Sequence, residues 1–184
     1  MRKLKNILVT GGSGFIGSNF IKLVLNKDSF LSGIEKVINI DKLTYAGSEA
    51  NNQLYKNDHR YIFVKDDICN KEIVNNLIND FNVDAIINFA AESHVDNSIE
   101  KPGEFIQTNI VGTYNLLECA NNKRLLNRNS ILFLHVSTDE VYGSLSLQDK
   151  RFTEFNRYKP NSPYSASKAA SDHLVRAWNK TFGL

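Results

Sequence analysis

Tyr164 and Lys168 are the two residues of this sequence whose types and spacing most directly suggest acid–base chemistry. Because they are four positions apart, a helix would place both side chains on one face. A phenol has a pKa of about 10 and is a poor base at neutral pH, but a neighbouring ammonium group favours the phenolate and lowers that pKa. We therefore expect Tyr164 to act as a base toward the hydroxyl group of a sugar or an alcohol.

Two adjacent carboxylates precede this pair, in the segment Ser137-Thr138-Asp139-Glu140. Neighbouring carboxyl groups push their pKa values apart, so that one can donate a proton while the other accepts one. Asp139 and Glu140 thus offer proton transfers that a simple dehydrogenase does not need. The alternative interpretation is a surface tyrosine and lysine beside a solvated acidic turn, and the Tyr-x-x-x-Lys spacing alone does not exclude it.

The hydrophobic pattern predicts the scaffold that would bring these residues together. Short apolar runs typical of buried strands alternate with segments of helical periodicity. The predicted strands cover residues 7–9, 37–40, 61–64, 85–89 and 131–136, and the predicted helices cover residues 15–25, 71–81, 104–122 and 164–182. This alternation is typical of a parallel sheet that is covered on both faces. We predict an α/β fold with a doubly wound parallel sheet, a Rossmann-like domain with strand order 3-2-1-4-5.

A glycine-rich turn, Gly11-Gly12-Ser13-Gly14-Phe15-Ile16-Gly17, lies between the first predicted strand and the first predicted helix. The glycines at positions 11, 14 and 17 permit a tight turn, the close approach of a pyrophosphate and close packing of the helix on the strand. The N-terminus of that helix carries unpaired amides and a partial positive charge, which favour phosphate. The position between strand and helix makes this turn a predicted dinucleotide-binding site.

Residues at the carboxyl ends of three other strands extend this site, because ligands bind at that edge of a doubly wound sheet. Asp41 ends the second strand, and its carboxylate could accept hydrogen bonds from ribose hydroxyls while repelling a 2′-phosphate, which favours NAD over NADP. An aspartate that starts a turn is the structural alternative. Asp67 and Ile68 follow the third strand and could contact an adenine ring. The segment Ala90-Ala91-Glu92-Ser93 follows the fourth strand, where small residues would let the backbone approach the cofactor.

Length and composition exclude several classes of protein. The 184 residues suit one domain, and we expect an NAD-binding domain over residues 1–184. The chain has 42% hydrophobic and 23% charged residues, a composition typical of folded and not of disordered proteins. Its net charge of +2 is spread along the chain, so neither nucleic acid nor a membrane is implied as a partner.

Cys69 and Cys119 lack metal-ligand spacing, so we expect buried, reduced thiols and no metal. The basic start of the chain is not followed by the apolar stretch of a signal peptide, and we expect a cytoplasmic protein.

The segment from Gly143 to Pro163 is long, polar and contains two of the three prolines. Loops of this length in compact domains are often lids or binding segments. A mobile connector is the alternative interpretation, and the residues themselves leave both open.

Taken together, the glycine turn, Asp41 and the Tyr-x-x-x-Lys pair resemble the extended short-chain dehydrogenase/reductase family. Further motifs narrow the resemblance to the dTDP-glucose 4,6-dehydratases within it. These motifs are Asp41-Lys-Leu-Thr-Tyr-Ala-Gly47, Ala90-Ala-Glu-Ser-His-Val-Asp96, Thr108-Asn-Ile-Val-Gly-Thr113, Ser137-Thr-Asp-Glu-Val-Tyr-Gly143 and Ser162-Pro-Tyr-Ser-Ala-Ser-Lys168. The most discriminating is Thr138-Asp139-Glu140, since related epimerases usually carry small or hydroxyl residues there and GDP-mannose dehydratases carry Thr-Ser-Glu.

The resemblance implies an NAD-dependent lyase that converts dTDP-glucose to dTDP-4-keto-6-deoxyglucose for deoxysugar biosynthesis. Tyr164, as a phenolate beside Lys168 and a nicotinamide cation, would take the proton of the 4-hydroxyl group while C4 gives its hydrogen to NAD. Glu140 would then remove the C5 proton, and Asp139 would donate a proton to the leaving 6-hydroxyl group. The cofactor would be regenerated in each cycle.

The resemblance also implies which residues bind. Ser93, Thr138 and Tyr164 would contact the sugar, whereas His94 is left open between a structural role and a substrate contact. The cofactor contacts would include, besides the residues named above, Phe15, Ile16, Lys42, Leu43, Thr44, Phe89, Thr108, Tyr164 and Lys168.

Assembly and completeness follow from the same resemblance. The helices around residues 104–122 and 164–181 would pack with those of a second subunit in a homodimer. Family members are nearly twice as long, so we expect an N-terminal portion without the C-terminal substrate-binding lobe. Three alternatives stay open: a UDP-sugar 4,6-dehydratase, because base-reading residues would lie beyond Leu184; a 4-epimerase, against which Asp139 and Glu140 argue; and a catalytically impaired NAD-binding fragment.

Overall fold

Five parallel strands form the sheet at the centre of the molecule. The computed structural model describes residues 3–26, 28–29, 31, 33–127 and 131–184. The strands are β1 (Asn6–Thr10), β2 (Lys36–Ile40), β3 (Tyr61–Val64), β4 (Ala85–Asn88) and β5 (Leu132–His135). Their hydrogen-bonded order is β3-β2-β1-β4-β5, so the predicted doubly wound topology is confirmed.

Helices connect the strands and cover both faces of the sheet. They are α1 (Phe15–Leu25), α2 (Glu49–Gln53), α3 (Lys71–Asp80), α4 (Val95–Glu100), α5 (Pro102–Phe105), α6 (Thr113–Asn127) and α7 (Pro163–Phe182). A π-helical segment, Ile106–Gly112, joins α5 to α6, and a 3-10 turn, Asp139–Tyr142, follows β5. The π-helical segment lies within the helix predicted over residues 104–122, but its π-helical form was not predicted. The short helices α2 and α4 were not predicted, because neither carries a long apolar run at helical spacing.

Alternate residues of the strands face opposite sides of the sheet and contribute to two hydrophobic clusters. Leu8 and Ile38 belong to the cluster that contains residues of α3 and α6. Ile7 and Val37 belong to the cluster that contains residues of α1. Both faces of the central strands are thus buried, which is why their sequences are continuously apolar instead of alternating.

The N-terminus of α7 is fixed by a capping box. The Ser162 side chain accepts a hydrogen bond from the backbone N–H of Ser165 at 3.0 Å, and the Ser165 hydroxyl lies 3.0 Å from the backbone N–H of Ser162. Pro163 occupies the first turn, where its missing N–H is not needed. A cap of this kind stabilises a helix by about 1 kcal/mol. It fixes the helical turn on which Tyr164 lies.

The two cysteines form no disulfide with each other. Cys119 is buried, as predicted, but Cys69 is only partly buried, and both thiols are free. Within the described ranges, no group of His, Cys, Asp and Glu side chains could hold a metal ion. Of the helices that the structure describes, none combines the length and the apolar composition needed to cross a membrane.

Candidate functional site

A cavity of about 350 Å³ opens at the carboxyl ends of the strands, the edge where ligands bind in this architecture. Every residue predicted to contact the cofactor lines it, except Leu43. The predicted residues in its wall are Gly11, Gly14, Phe15, Ile16, Gly17, Asp41, Lys42, Thr44, Asp67, Ile68, Phe89, Ala90, Ala91, Glu92, Ser93, Thr108, Tyr164 and Lys168. Leu43 instead adopts a φ of 57°, a left-handed conformation that is uncommon for a bulky residue.

In the glycine turn, Gly11 and Gly17 are required by the packing of the protein, whereas Gly14 is not. Gly11 has a φ of +67°, and a Cβ atom there would lie 2.6 Å from the backbone nitrogen of Ala90. A Cβ atom at Gly17 would lie 2.7 Å from the Cα atom of Gly12. At Gly14 the nearest atom would be 3.4 Å away, an ordinary contact, so the missing side chain there keeps the cavity open. No side chain caps α1, whose first amides remain available, and the turn fits a pyrophosphate.

Asp41 lies in the cavity wall with its carboxylate held in one orientation. Its Oδ2 atom accepts a hydrogen bond from the backbone N–H of Ser13 at 2.9 Å, and its Oδ1 atom accepts one from Leu43 at 2.8 Å. The bond to Leu43, two residues on, agrees with the alternative in which Asp41 starts a turn. Each carboxylate oxygen keeps a further lone pair, so Asp41 can accept hydrogen bonds from hydroxyl groups and repel a phosphate.

Asp67 forms an ion pair across the cavity wall, which the sequence analysis did not anticipate. Lys42 Nζ lies 2.8 Å from Asp67 Oδ2, and the backbone N–H of Cys69 donates to Asp67 Oδ1 at 2.9 Å. Burial by itself would raise the pKa of Asp67, but the hydrogen bonds from Lys42 and from Cys69 outweigh it and lower that pKa. Asp67 is therefore ionised and already partnered by a cation.

The segment after β4 is fixed by Asn109, a residue of the π-helical segment that sequence reasoning missed. The Asn109 side chain accepts from the backbone N–H of Glu92 and donates to its carbonyl oxygen, both at 2.9 Å, and it also donates to Ser167 Oγ at 2.8 Å. It thereby links the wall of the cavity to α7. Burial raises the pKa of Glu92, and the nearby charge of Glu104 raises it further.

Tyr164 and Lys168 lie on α7, and both line the cavity as predicted. Only 4% of Lys168 is exposed, and its ammonium group donates a hydrogen bond to the carbonyl oxygen of Val136 at 2.5 Å. Because burial disfavours the charged form, it lowers the pKa of Lys168 to about 8.

The predicted direction of the pKa shift at Tyr164 is wrong for the groups of this chain. Burial raises the pKa of Tyr164, a hydrogen bond with Thr138 lowers it, and the charges of Glu140 and Asp139 raise it again, for a net increase. The ammonium group of Lys168 is directed at a backbone carbonyl and does not reverse this result. Residue spacing placed the lysine correctly but could not show how deeply the phenol is buried.

Thr138, Asp139 and Glu140 lie beside the cavity and do not line it. Thr138 is the N-cap of the 3-10 turn, and its hydroxyl accepts a hydrogen bond from the backbone N–H of Glu140 at 3.3 Å. Asp139 is exposed and Glu140 is half-buried. Both charges act on the phenol of Tyr164, so the structure brings the two acids close to that residue.

The long segment from Gly143 to Pro163 is anchored near its two ends. The backbone N–H of Lys159 donates to the carbonyl oxygen of Val141 at 2.9 Å, and the hydroxyl of Tyr158 donates to Asp172 at 2.9 Å. Between these anchors, Leu147 and Phe155 are almost fully exposed. The middle of the segment therefore projects from the protein surface.

Six further residues line the cavity although they were not predicted as site residues. They are Ile40, Ala46, Gly47, Asp66, Val136 and Ser137. Each is a near neighbour of a predicted residue at a strand end, so extending every strand end by one or two positions could have found most of them. His94 does not line the cavity; it is exposed, and its backbone N–H donates to the hydroxyl of Tyr45 at 3.3 Å.

Curated relatives resemble the chain over nearly all of its length. The dTDP-glucose 4,6-dehydratase of Haemophilus influenzae is 51% identical over 98% of this chain and 53% of its own length. The dTDP-glucose 4,6-dehydratase of Xanthomonas campestris is 53% identical over 96% of this chain and 50% of its own length. The chain therefore spans about half the length of the curated relatives it matches.

Solved structures share the fold of this chain. DesIV, a dTDP-glucose 4,6-dehydratase from Streptomyces venezuelae solved with NAD and TYD bound, is 44% identical with a TM-score of 0.89, over 97% of this chain and 53% of that chain. A Thermus thermophilus UDP-glucose 4-epimerase solved with NAD is 30% identical with a TM-score of 0.82, and the match covers 97% of this chain and 52% of that chain. The predicted resemblance to dTDP-glucose 4,6-dehydratases is confirmed. The family model described as GDP-mannose 4,6 dehydratase matches residues 8–184, and the chain belongs to that family.

Proposed function

We propose that residues 1–184 are the NAD-binding domain of a dTDP-glucose 4,6-dehydratase and that they supply both the cofactor site and the acid–base groups. The observation that carries this proposal is a cavity whose wall contains the glycine turn, Asp41, Tyr164 and Lys168 together. The sequence identities of 51% and 53% to two dTDP-glucose 4,6-dehydratases support the choice of substrate. The NAD in the related DesIV structure supports the choice of cofactor.

The residues of the cavity fit NAD. The open space at Gly14 and the uncapped N-terminus of α1 would hold the pyrophosphate, Asp41 would hold the ribose hydroxyls, and Ile68 would contact the adenine. Asp67 would meet the adenine amino group through whichever lone pairs its ion pair with Lys42 leaves free. When bound, NAD takes two electrons from the sugar and returns them later in the cycle, so that the net reaction is loss of water.

Tyr164 is the proposed base for the 4-hydroxyl group of the sugar. Because burial raises its pKa, the phenolate needs positive charge nearby. Lys168, whose pKa is about 8, is mostly protonated at pH 7 and supplies one charge from the same face of α7. The hydrogen bond with Thr138 acts in the same direction. The pair would thus take the proton as the C4–H bond breaks and the ketone forms.

Asp139 and Glu140 are the proposed groups for the elimination. A ketone at C4 acidifies the C5 proton, which Glu140 would accept as the C6–O bond breaks. Asp139 would donate a proton to the departing oxygen, which leaves as water. The proximity of both charges to Tyr164 supports their action on the same sugar.

The proposal includes a homodimer formed through α6 and α7. Tyr114, Trp178 and Phe182 form a row of rings across these helices, with centroids 5.8 and 5.4 Å apart. Tyr114 and Phe182 are each 39% exposed, so the row presents apolar surface that a second copy would cover. Light scattering should give twice the chain mass, and Tyr114→Glu should reduce it to a monomer; a wild-type monomer at high concentration would contradict the dimer.

A cytoplasmic location is part of the proposal as well. Cys69 and Cys119 are free thiols, and free thiols persist in reducing compartments. Nucleotide sugars that serve as substrates for such enzymes carry two phosphates and need no membrane contact from the protein.

A nucleotide-sugar 4-epimerase is the second candidate, favoured by the fold similarity to the UDP-glucose 4-epimerase of Thermus thermophilus. An epimerase returns the electrons to C4 and needs no elimination, which would leave Asp139 and Glu140 without a role. The carboxylate pair and the higher identity to dTDP-glucose 4,6-dehydratases therefore favour dehydration.

The proposal is tested by incubating the chain with NAD and, separately, with dTDP-glucose, UDP-glucose and GDP-mannose, and by analysing the products with NMR. We expect NAD binding and a 4-keto-6-deoxy sugar from dTDP-glucose, at a lower rate than a full-length relative assayed in parallel. Glu140→Gln should abolish that product, while Lys180→Met, an exposed change on α7, should not. Formation of UDP-galactose without a keto sugar would support the epimerase instead, and failure to bind NAD would refute both.

A further inference from the structure

Ser13, which lies between Gly12 and Gly14 in the turn, has each of its polar atoms bonded inside the protein. Its side chain is fully buried. Its backbone N–H donates to Asp41 at 2.9 Å, and its carbonyl oxygen accepts from the backbone N–H of Ser48 at 3.0 Å and from Asn51 Nδ2 at 2.9 Å. Ser13 thus connects the glycine turn to Asp41 and to the segment that begins α2.

Asn39, on β2 directly beneath the turn, extends these connections. It is fully buried, and its Oδ1 atom accepts from the backbone N–H of Gly12 at 3.0 Å. Its Nδ2 atom donates to Ser13 Oγ at 3.2 Å and to the hydroxyl of Tyr61 at 2.9 Å. A Cβ atom at Gly12 would lie 2.6 Å from the Cγ atom of Asn39. Gly12, which the phosphate motif does not need, is therefore explained by the approach of Asn39.

Asn52 closes the group, and its Oδ1 atom is the point where three donors meet. Ser13 Oγ donates to it at 2.8 Å, Asn39 Nδ2 at 3.1 Å and the hydroxyl of Tyr61 at 2.8 Å. Its own Nδ2 atom is buried without a partner among the described residues. The opposite amide orientation would set the NH₂ group of Asn52 against that of Asn39, whose own orientation is fixed by the bond from Gly12, so this orientation is the favoured one.

We infer that Ser13, Asn39, Asn52 and Tyr61, here called the turn network, position the glycine turn and Asp41 for the dinucleotide. The inference rests on the proposed NAD site. It extends that site to residues that do not line the cavity and are linked to it through hydrogen bonds. Bonds among buried polar groups reinforce one another and hold the binding amides in place before the ligand arrives. These are positioning residues, because they act through Asp41 and the turn.

Tyr61 and Tyr55 provide a matched pair of test variants. Their rings pack edge to face with centroids 5.5 Å apart. The Tyr61 hydroxyl takes part in the turn network, whereas the described residues offer the Tyr55 hydroxyl no hydrogen bond. Tyr61→Phe and Tyr55→Phe therefore make the same chemical change at neighbouring rings. Asn39→Leu removes the network more completely while it keeps the branched shape of the side chain.

The experiment titrates the 184-residue chain and each variant with NAD and with NADP by calorimetry, and records each melting temperature. We expect the dissociation constant for NAD to rise about threefold or more in Tyr61→Phe and about tenfold or more in Asn39→Leu, and to change less than about twofold in Tyr55→Phe. Because the network also orients Asp41, the preference for NAD over NADP should fall in Asn39→Leu.

Lower melting temperatures with unchanged affinities and an unchanged preference for NAD over NADP would overturn the inference and leave the network a purely structural role. If Asn39→Leu does not fold, Tyr61→Phe against Tyr55→Phe still decides the question. Lack of NAD binding by the unmodified chain would instead refute the proposed function itself.

Discussion

The two ends of the candidate site are built in different ways. At the glycine turn, buried side chains and backbone amides hold Asp41 with two hydrogen bonds, and Ser13 and Asn39 are fully enclosed. At the other end, Asp139 is exposed, and the 3-10 turn that carries it is capped by a 3.3 Å bond within the same turn. The first end is fixed before any ligand binds, whereas the second exposes its charged groups.

In the proposed function, the fixed end would bind the dinucleotide and the exposed end would carry out the proton transfers. A dinucleotide is a large ligand whose binding benefits from preorganised amides and a rigid carboxylate. Proton transfer needs groups whose pKa values can respond to what binds beside them. Burial has opposite consequences at Tyr164 and Lys168, because it raises the pKa of the phenol and lowers that of the ammonium group to about 8. Both shifts disfavour the charged forms, and the phenolate of Tyr164 is the one that added positive charge would favour.

The largest effect should separate two glycines of the same turn. Gly11→Ala forces a side chain into a left-handed backbone and against Ala90, and should lower the free energy of unfolding by about 3 kcal/mol. Gly14→Ala meets only ordinary contacts and should change that free energy by less than about 1 kcal/mol. Denaturant unfolding measures both.

NAD titration of the same two variants completes this test. Gly14→Ala should bind NAD at least about tenfold more weakly, because its methyl group would occupy the space for the pyrophosphate. A stable Gly14→Ala variant with unchanged NAD affinity would remove the glycine turn from the site.

An intermediate effect concerns the buried charge of Lys168, whose pKa burial lowers from 10.5 to about 8. Between these two values the unfolded chain holds a proton that the folded protein has lost, so the stability of the wild type rises with pH in that window. Lys168→Met should be more stable than the wild type at pH 7 by roughly 1–3 kcal/mol, less the lost bond to Val136. That advantage should shrink from pH 8 to pH 10.5.

Thermal unfolding over this pH range measures the effect, with Lys180→Met, an exposed change near the end of the same helix, as the control. If the difference in stability between Lys168→Met and the wild type does not vary between pH 7 and pH 10.5, burial of the ammonium group does not destabilise the folded protein.

The smallest effect concerns the phenol of Tyr164 at the exposed end. Glu140→Gln removes a negative charge and should lower the pKa of Tyr164. Thr138→Val removes a hydrogen-bond partner and should raise it. Titration of the tyrosine ring carbons by NMR, assigned with Tyr164→Phe, gives both directions. Shifts of the same sign in the two variants would contradict the described surroundings of the phenol.

The sequence predicted most of the fold because the strands of this sheet are buried on both faces. Their continuous apolar runs ended within one residue of the observed strand ends at β3 and β4. The predictions for Asp41, Asp67 and Ile68 followed from the same pattern, since strand ends of a parallel sheet meet at one edge. Other predicted contacts, such as Lys42 and Thr108, came from the family resemblance. Leu43 departed from it, because its left-handed backbone turns it out of the cavity wall.

What the sequence did not predict depends on tertiary contacts. Asn109 lies on a π-helical segment, and the bonds it makes to Glu92 and Ser167 join residues far apart in the chain. Asn39 reads as a polar interruption of a strand until Gly12 and Tyr61 are seen beside it. The pKa of Tyr164 depends on burial, which the four-residue spacing to a lysine does not reveal.

The pKa of Tyr164 with and without NAD tests the central claim most directly, because that claim places a dinucleotide between the glycine turn and the phenol. NMR titration of the ring carbons should be repeated with NAD and with ADP-ribose, which lacks the nicotinamide ring. We predict that both ligands bind and that NAD alone lowers the pKa of Tyr164. Binding of both with the same pKa would contradict the account, since the positive ring would then lie away from the proposed base.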